Sequence, residues 1–179
     1  MDRPKRVSRT FAYGGTVLNI YRDHIELPDG REEDYDFIHH NGAAAVVPVL
    51  DDGRILMVRQ YRNAIDSYTL ELPAGKLDAP GEPTNEAAAR ELEEETGYKA
   101  DSKDIEFLLG LYTTVAFCNE KIDIYVAHNL QKTQQNLDDD EYIDVEVYTL
   151  SELTDMVFSG KIVDAKTIAG LMAYKAKLG

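Results

Sequence analysis

The stretch Arg90-Glu91-Leu92-Glu93-Glu94-Glu95-Thr96-Gly97 constrains this chain more than any other. It closes a helix expected from about Thr84 to Thr96, with Thr84 as N-cap and Gly97 as the glycine just past the end. Residues three and four apart share a helix face. Glu91, Glu94 and Glu95 therefore project together, with Ala87 one turn earlier, while Ala88, Ala89 and Leu92 point elsewhere and can pack on a sheet. Like charges at that spacing repel by roughly 0.2–0.5 kcal/mol per pair, and the C-terminal end of a helix disfavours anions. A solvated acidic face would leave both penalties standing. Divalent cations would remove both, and hard carboxylate oxygens suit Mg²⁺ or Mn²⁺.

The whole-chain charge narrows the function. At 179 residues the chain is close to one ordinary domain, and 44% hydrophobic with 29% charged residues is a globular composition. Its net charge of −14 repels a nucleic-acid backbone, so no nucleic-acid partner is expected. A phosphorylated substrate is also an anion, and would require the acids to hold cations that reverse the local sign. Cys118 is the one cysteine, which excludes an intrachain disulfide and suits a reducing, cytoplasmic setting. The basic start MDRPKRVSRT has no apolar run after it, so no signal peptide is expected, and Ala43–Leu50 is too short to span a bilayer.

Hydrophobic patterning gives a coarse architecture. Residues 10–40 read as a strand pair: Val17-Leu18-Ile20-Tyr21 and Ile25-Leu27 lead to the turn Pro28-Asp29-Gly30, and a polar strand runs on to Ile38. Gly42–Leu50 is apolar throughout, as a buried strand is. Further strands are expected at Arg54–Arg62, Tyr68–Leu72 (ended by Pro73-Ala74-Gly75), Ile105–Tyr112, Lys121–Ala127 and Asp144–Tyr148. Ser151–Phe158 reads as a helix closed by Gly160. Asp164–Lys177 reads as an amphipathic helix with Ile168, Leu171, Met172 and Ala176 on one side. Strands, one central helix, more strands and terminal helices make an α+β domain. We divide the chain into an N-terminal β region, 1–40, and a catalytic domain, 41–179.

Taken in full, Gly75…Glu82…Arg90-Glu91-Leu92-Glu93-Glu94-Glu95-Thr96-Gly97-Tyr98 resembles the signature box of the Nudix hydrolases. From Glu82 onward the match is complete. Six residues separate Gly75 from Glu82 where the family has five, and the extra one falls in a turn containing Pro80 and Gly81, where insertion is tolerated. Leu70-Glu71-Leu72-Pro73-Ala74-Gly75, Gln60-Tyr61-Arg62 and Asp138-Asp139-Asp140-Glu141 are similar to the ADP-ribose pyrophosphatase branch, and the likeness covers roughly residues 10–177.

The resemblance implies a mixed β-sheet sandwiched between helices, and metal-dependent hydrolysis of the P–O–P bridge of a nucleoside diphosphate sugar. It implies Glu91, Glu95, Glu94 and the Ala74 carbonyl as metal ligands, with Arg90 orienting a box glutamate, Glu82 before others; an ordinary i,i+4 pair with Glu94 is the alternative. The general base would come from the acidic loop Leu137–Tyr142. Glu141 is the first choice as ligand or base and Asp139 the second, against the reading of these acids as a solvated loop. Arg62, with Glu71 and Tyr61, would contact the substrate, since guanidinium matches phosphate geometry. Tyr21, Tyr61 and Tyr112 could stack an adenine or simply pack. Cys118, His39 and His40 receive no role. The branch carries Ser-Pro-Gly shortly after the box where this chain has Thr114-Val115-Ala116, a departure that bears on the sugar and not on P–O–P cleavage. In the branch the region equivalent to Phe11–Ile38 exchanges with a second subunit, which implies a homodimer. The competing readings are a hydrolase of another nucleotide sugar or a dinucleotide polyphosphate, a non-catalytic nucleotide-sugar sensor, and an isopentenyl diphosphate isomerase.

Overall fold

Backbone contacts in the computed structural model, which describes residues 2–16, 18–79, 81–139 and 141–179, divide the chain into two units. One comprises Met1–Gly42 with Tyr112–Lys121, the other Ala43–Leu111 with Ile122–Gly179. Val17, Pro80 and Asp140, named above as a strand position, a turn residue and a loop acid, lie outside the described residues.

The first unit is built on a three-stranded antiparallel sheet, β1 (Lys5–Gly14), β2 (Asn19–Glu26) and β3 (Glu32–His39), in that order. The turn between β2 and β3 forms as expected, with Gly30 at φ +84° and its N–H donating to Leu27 O. The expected strand pair is thus a trio. Lys5–Gly14 carries no apolar alternation in its first half, and a cross-strand ion pair helps to hold it: Arg9 donates two 2.6 Å hydrogen bonds to the buried Asp23, and its guanidinium carbon lies 3.5 Å from the Phe37 ring centre. The late segment Tyr112–Lys121 joins this unit through Ile38 N to Phe117 O (2.7 Å) and a reciprocal pair between His40 and Asn119. A boundary drawn at residue 40 could not include it, because the tie is made by residues some 79 positions apart.

The larger unit contains β4 (Ala43–Pro48), β5 (Ile55–Arg62), β6 (Ser67–Glu71), β7 (Ala74–Lys76), α1 (Thr84–Thr96), β8 (Tyr98–Lys99), β9 (Ile105–Tyr112), β10 (Lys121–Ala127), β11 (Gln131–Lys132), β12 (Ile143–Tyr148), α2 (Leu150–Phe158) and α3 (Ala165–Leu178). Its main sheet runs β7-β4-β10-β9 and is mixed, since β4 is parallel to β10 and antiparallel to β7. A second sheet runs β12-β5-β6. The apolar run of β4 has its explanation in two covered faces. Ala44 and Val46 pack with Ala87, Ala88 and Leu92 of α1, while Ala43, Ala45 and Val47 pack with Leu153 of α2 and Leu171 and Tyr174 of α3. The sheet therefore lies between helices, an α+β sandwich as expected.

Four local expectations are corrected. Thr84 is the first helical residue of α1 and not its cap, because its hydroxyl is engaged by Asp123 (3.0 Å) and Tyr125 (2.6 Å); Pro83 holds the cap position. Ala87 belongs to the core, whereas Ala89 is only half-buried. Pro73-Ala74-Gly75 does not end the strand, since the chain resumes as β7 to pair with β4. The buried face of α3 is Thr167, Gly170, Leu171 and Tyr174, and Ala176 is exposed. At Gly170 a Cβ would come 2.6 Å from the Leu72 Cδ1, so any side chain there would require the Leu72 side chain to shift.

Candidate active site

Alpha helix α1 turns Glu91 and Glu95 inward beneath the β6–β7 connection. Both residues are buried, with 8% and 3% of their surface exposed. The Ala74 N–H donates to Glu95 Oε2 at 3.0 Å. A Cβ at Gly75 would overlap the Glu91 carboxylate, so the first glycine of the box provides the volume in which that carboxylate sits. Burial raises Glu91 to about 7 and Glu95 to about 8, and the charge of Glu141 pushes both the same way. Glu141 is therefore within electrostatic reach of both.

Arg90 works against this elevation at Glu91. Its Nη1 donates to Glu91 Oε1 (2.6 Å) and Glu94 Oε2 (3.0 Å), and its Nη2 donates to Lys76 O (3.2 Å). Glu82 stands 3.7 Å from Arg90, at ion-pair distance only, and spends an oxygen on the Asp78 N–H at 2.6 Å. The arginine thus bonds the adjacent and i+4 glutamates, with Glu82 further off. Glu94 is half-buried.

Among the described residues no three acidic, histidine or cysteine side chains yet stand close enough to hold a metal ion. Arg90 occupies Glu91, and Asp138 N donates to Glu141 Oε2 at 3.3 Å. The donor chemistry nonetheless fits a divalent cation: Glu91 and Glu95 are hard oxygen donors in a buried place where charge is opposed, and a cation would relieve that opposition. Asp139 is exposed, next to the undescribed Asp140.

Arg62 and Glu71 meet directly. Arg62 Nε and Nη2 each donate to Glu71 at 2.7 Å, a bidentate pair, and Nη1 makes no hydrogen bond among the described residues. Glu71 also accepts from Thr69 Oγ1 (2.5 Å) and from Lys166 Nζ, and Lys166 bonds Asp164 (3.1 Å). Burial opposes the Glu71 charge, but Arg62, then Lys166 and Thr69, outweigh it and hold the carboxyl at about 2. Sequence reasoning missed Lys166 and Thr69. A lysine on the last helix carries no local signal that it will reach a carboxylate 95 positions away. Tyr61 lies away from this cluster, exposed, with its hydroxyl on Asp66 (2.5 Å) and its ring edge-on to Tyr68. Tyr21 packs against Phe11 and Phe37 in the first unit, and Tyr112 is exposed there.

A family model, the NUDIX domain, matches residues 39–171, most of the chain and all of the helix and loops just described. This chain belongs to the Nudix family. The Nudix box accounts for the buried glutamates of α1 and for the glycine that accommodates one of them, and the chain is a Nudix pyrophosphohydrolase, of a family whose cofactor is a divalent cation. It is 35% identical over 175 residues to the ADP-ribose pyrophosphatase of Bacillus subtilis (strain 168), covering 97% of this chain and 93% of that one. It is 36% identical over 166 residues to the methanol dehydrogenase activator of Bacillus methanolicus, covering 92% and 88%. A crystal structure of an ADP compounds hydrolase superposes with a TM-score of 0.87 at 24% identity, covering 99% of this chain and 95% of that chain, which supports the Nudix fold of the whole length. No described helix is long and apolar enough to cross a membrane.

Proposed function

We propose that this Nudix enzyme hydrolyses ADP-ribose to AMP and ribose 5-phosphate, with Mg²⁺ as the working cation and Mn²⁺ as a substitute. The observation that carries the reading is the burial of Glu91 and Glu95 against Ala74–Gly75, with the charge of Glu141 bearing on both. The near-full-length likeness to an ADP-ribose pyrophosphatase supports the substrate.

When bound, the cation neutralises phosphate oxygens and makes water a better nucleophile. The chain supplies the rest. Glu91, Glu95, Glu94 and the Ala74 carbonyl would hold the cation, and Arg90 orients Glu91 and Glu94. Glu141 accepts the proton of the attacking water, with Asp139 as the alternative. Glu71 fixes the Arg62 guanidinium so that its Nη1 remains for a phosphate or ribose oxygen; Tyr61 flanks the substrate from further out. We place the enzyme in the cytoplasm on the strength of its single cysteine, and infer a homodimer joined through the N-terminal unit.

A nucleotide-sugar panel incubated with Mg²⁺ or Mn²⁺ tests this, with products separated by chromatography. We expect AMP and ribose 5-phosphate from ADP-ribose in the presence of either cation. Turnover of adenosine polyphosphates alone, with ADP-sugars untouched, would overturn the substrate; no turnover of any member with all box acids intact would favour a sensor.

A further inference from the structure

The last turn of any helix leaves carbonyl oxygens without partners inside the helix. At the end of α1 three of them are taken by one short segment of the chain. Glu94 O accepts from Asn136 N (3.0 Å), Glu95 O from Gln135 Nε2 (2.6 Å), and Gly97 O from Thr133 N (2.7 Å). The fit is close enough that a Cβ at Gly97, whose φ is +68°, would come 2.9 Å from Gln135 N. The same Gln135 Nε2 also reaches Ile143 O at 3.3 Å, the first residue of β12. One side-chain amide therefore ties the two ends of the loop 136–142 to each other and to the helix that carries Glu91 and Glu95.

That loop holds Glu141. Within it, Glu141 N donates to Asp138 O at 3.0 Å and Asp138 N to Glu141 Oε2 at 3.3 Å, which gives the loop its own turn but does not attach it to α1. The two backbone bonds from Thr133 and Asn136 attach only its leading side. Gln135 alone, among these bonds, bridges to the trailing side. We propose that Gln135 is a positioning residue: its amide holds the acidic loop against the end of α1 and so sets where Glu141 stands relative to Glu91 and Glu95. The proposal rests on the reading of Glu141 as the proton acceptor. Gln135 is itself an exposed residue outside both cores.

The test is a double-mutant cycle in the full chain, with ADP-ribose and Mg²⁺, comparing Gln135→Ala, Glu141→Gln and the double variant. Gln135→Glu serves as a second probe. It keeps the size but loses the amide donor, and sets a carboxylate against two carbonyl oxygens. We expect either Gln135 variant to lower kcat by about 10- to 100-fold through misplacement of the reacting group. KM and calorimetric Mn²⁺ affinity should stay within about twofold, because the substrate contacts and the α1 ligands are not touched. In the Glu141→Gln background the same change should add less than about twofold. Parental kcat in both Gln135 variants would overturn the proposal, as would a loss of equal size in the Glu141→Gln background. If Glu141→Gln alone leaves kcat unchanged, the role of Glu141 fails, and a fall in kcat from Gln135→Ala then shows it acting through some other group, which also overturns the proposal.

Discussion

The Glu91 carboxylate fills the space in which a side chain at residue 75 would stand. Gly75 is not in the left-handed region of backbone space, so volume and not conformational freedom requires glycine there. The atoms that would collide are the far end of a flexible side chain. The backbone can therefore tolerate an added methyl group, at the expense of the carboxylate's position.

From this relationship we expect Gly75→Ala to fold with an unfolding midpoint close to that of the parent and to lose activity. Displacing a reacting-site group by about 1 Å costs on the order of 100-fold. Steady-state kinetics paired with thermal unfolding decides it. A large fall in stability with activity per folded molecule preserved would show that residue 75 serves packing alone.

Glu95→Gln keeps side-chain volume but cannot present an anionic oxygen to a cation. We expect turnover to fall by roughly 10²–10³-fold, as when one preorganised electrostatic partner is lost, and the apo protein to be at least as stable, since burial already opposes the charge that glutamine lacks. Calorimetric titration with Mn²⁺ should show weakened binding. Unchanged affinity together with unchanged turnover removes Glu95 from the ligand set.

Glu71 gives a pH-dependent stability with a definite sign. Its groups face it from three elements: Arg62 on β5, Thr69 on β6 and Lys166 on α3, the last also bonded to Asp164. The carboxyl is held at about 2, below its ordinary 4.5. A depressed carboxyl stabilises the folded state fully above about pH 4.5 and loses that contribution as pH falls toward 2. The full contribution is on the order of 3 kcal/mol at ~1.4 kcal/mol per pKa unit. Urea unfolding at a series of pH values, for the parent and Glu71→Gln, should show the parent's advantage at pH 6 narrowing steadily below pH 4.5. A gap that stays constant down to pH 3 would remove Glu71 as its source.

The N-terminal sheet presents Phe11 and Tyr13 of β1 and Tyr35 of β3 at 50% exposure or more. Exposed aromatic surface of this kind suits burial against a partner, and a two-fold dimer is the commonest assembly of soluble chains. Light scattering should give about twice the 20.1 kDa of the chain at micromolar concentration. A value near the single-chain mass rejects the dimer. A truncation lacking residues 1–40 that stays folded and dimeric rejects this sheet as its interface.

What the sequence determined by itself is local. The period of α1, its stop at Gly97, the placing of Glu91 and Glu95 one turn apart on its buried face and the apolar run of β4 all follow from spacing within a dozen residues. What only the tertiary structure decided is which distant groups meet. Arg90 turns to Glu91 and Glu94 with Glu82 further off, Thr84 gives its hydroxyl to Asp123 and Tyr125, and Lys166 crosses 95 positions to Glu71. Tyr112–Lys121 leaves the sequence neighbours it came from and joins the N-terminal unit. The physical reason is that helix and strand periods are written by side chains a few residues apart, whereas ion pairs and hydrogen bonds between elements depend on how those elements pack, and a charged residue in an unpaired sequence looks the same whether it will face water or a buried carboxylate.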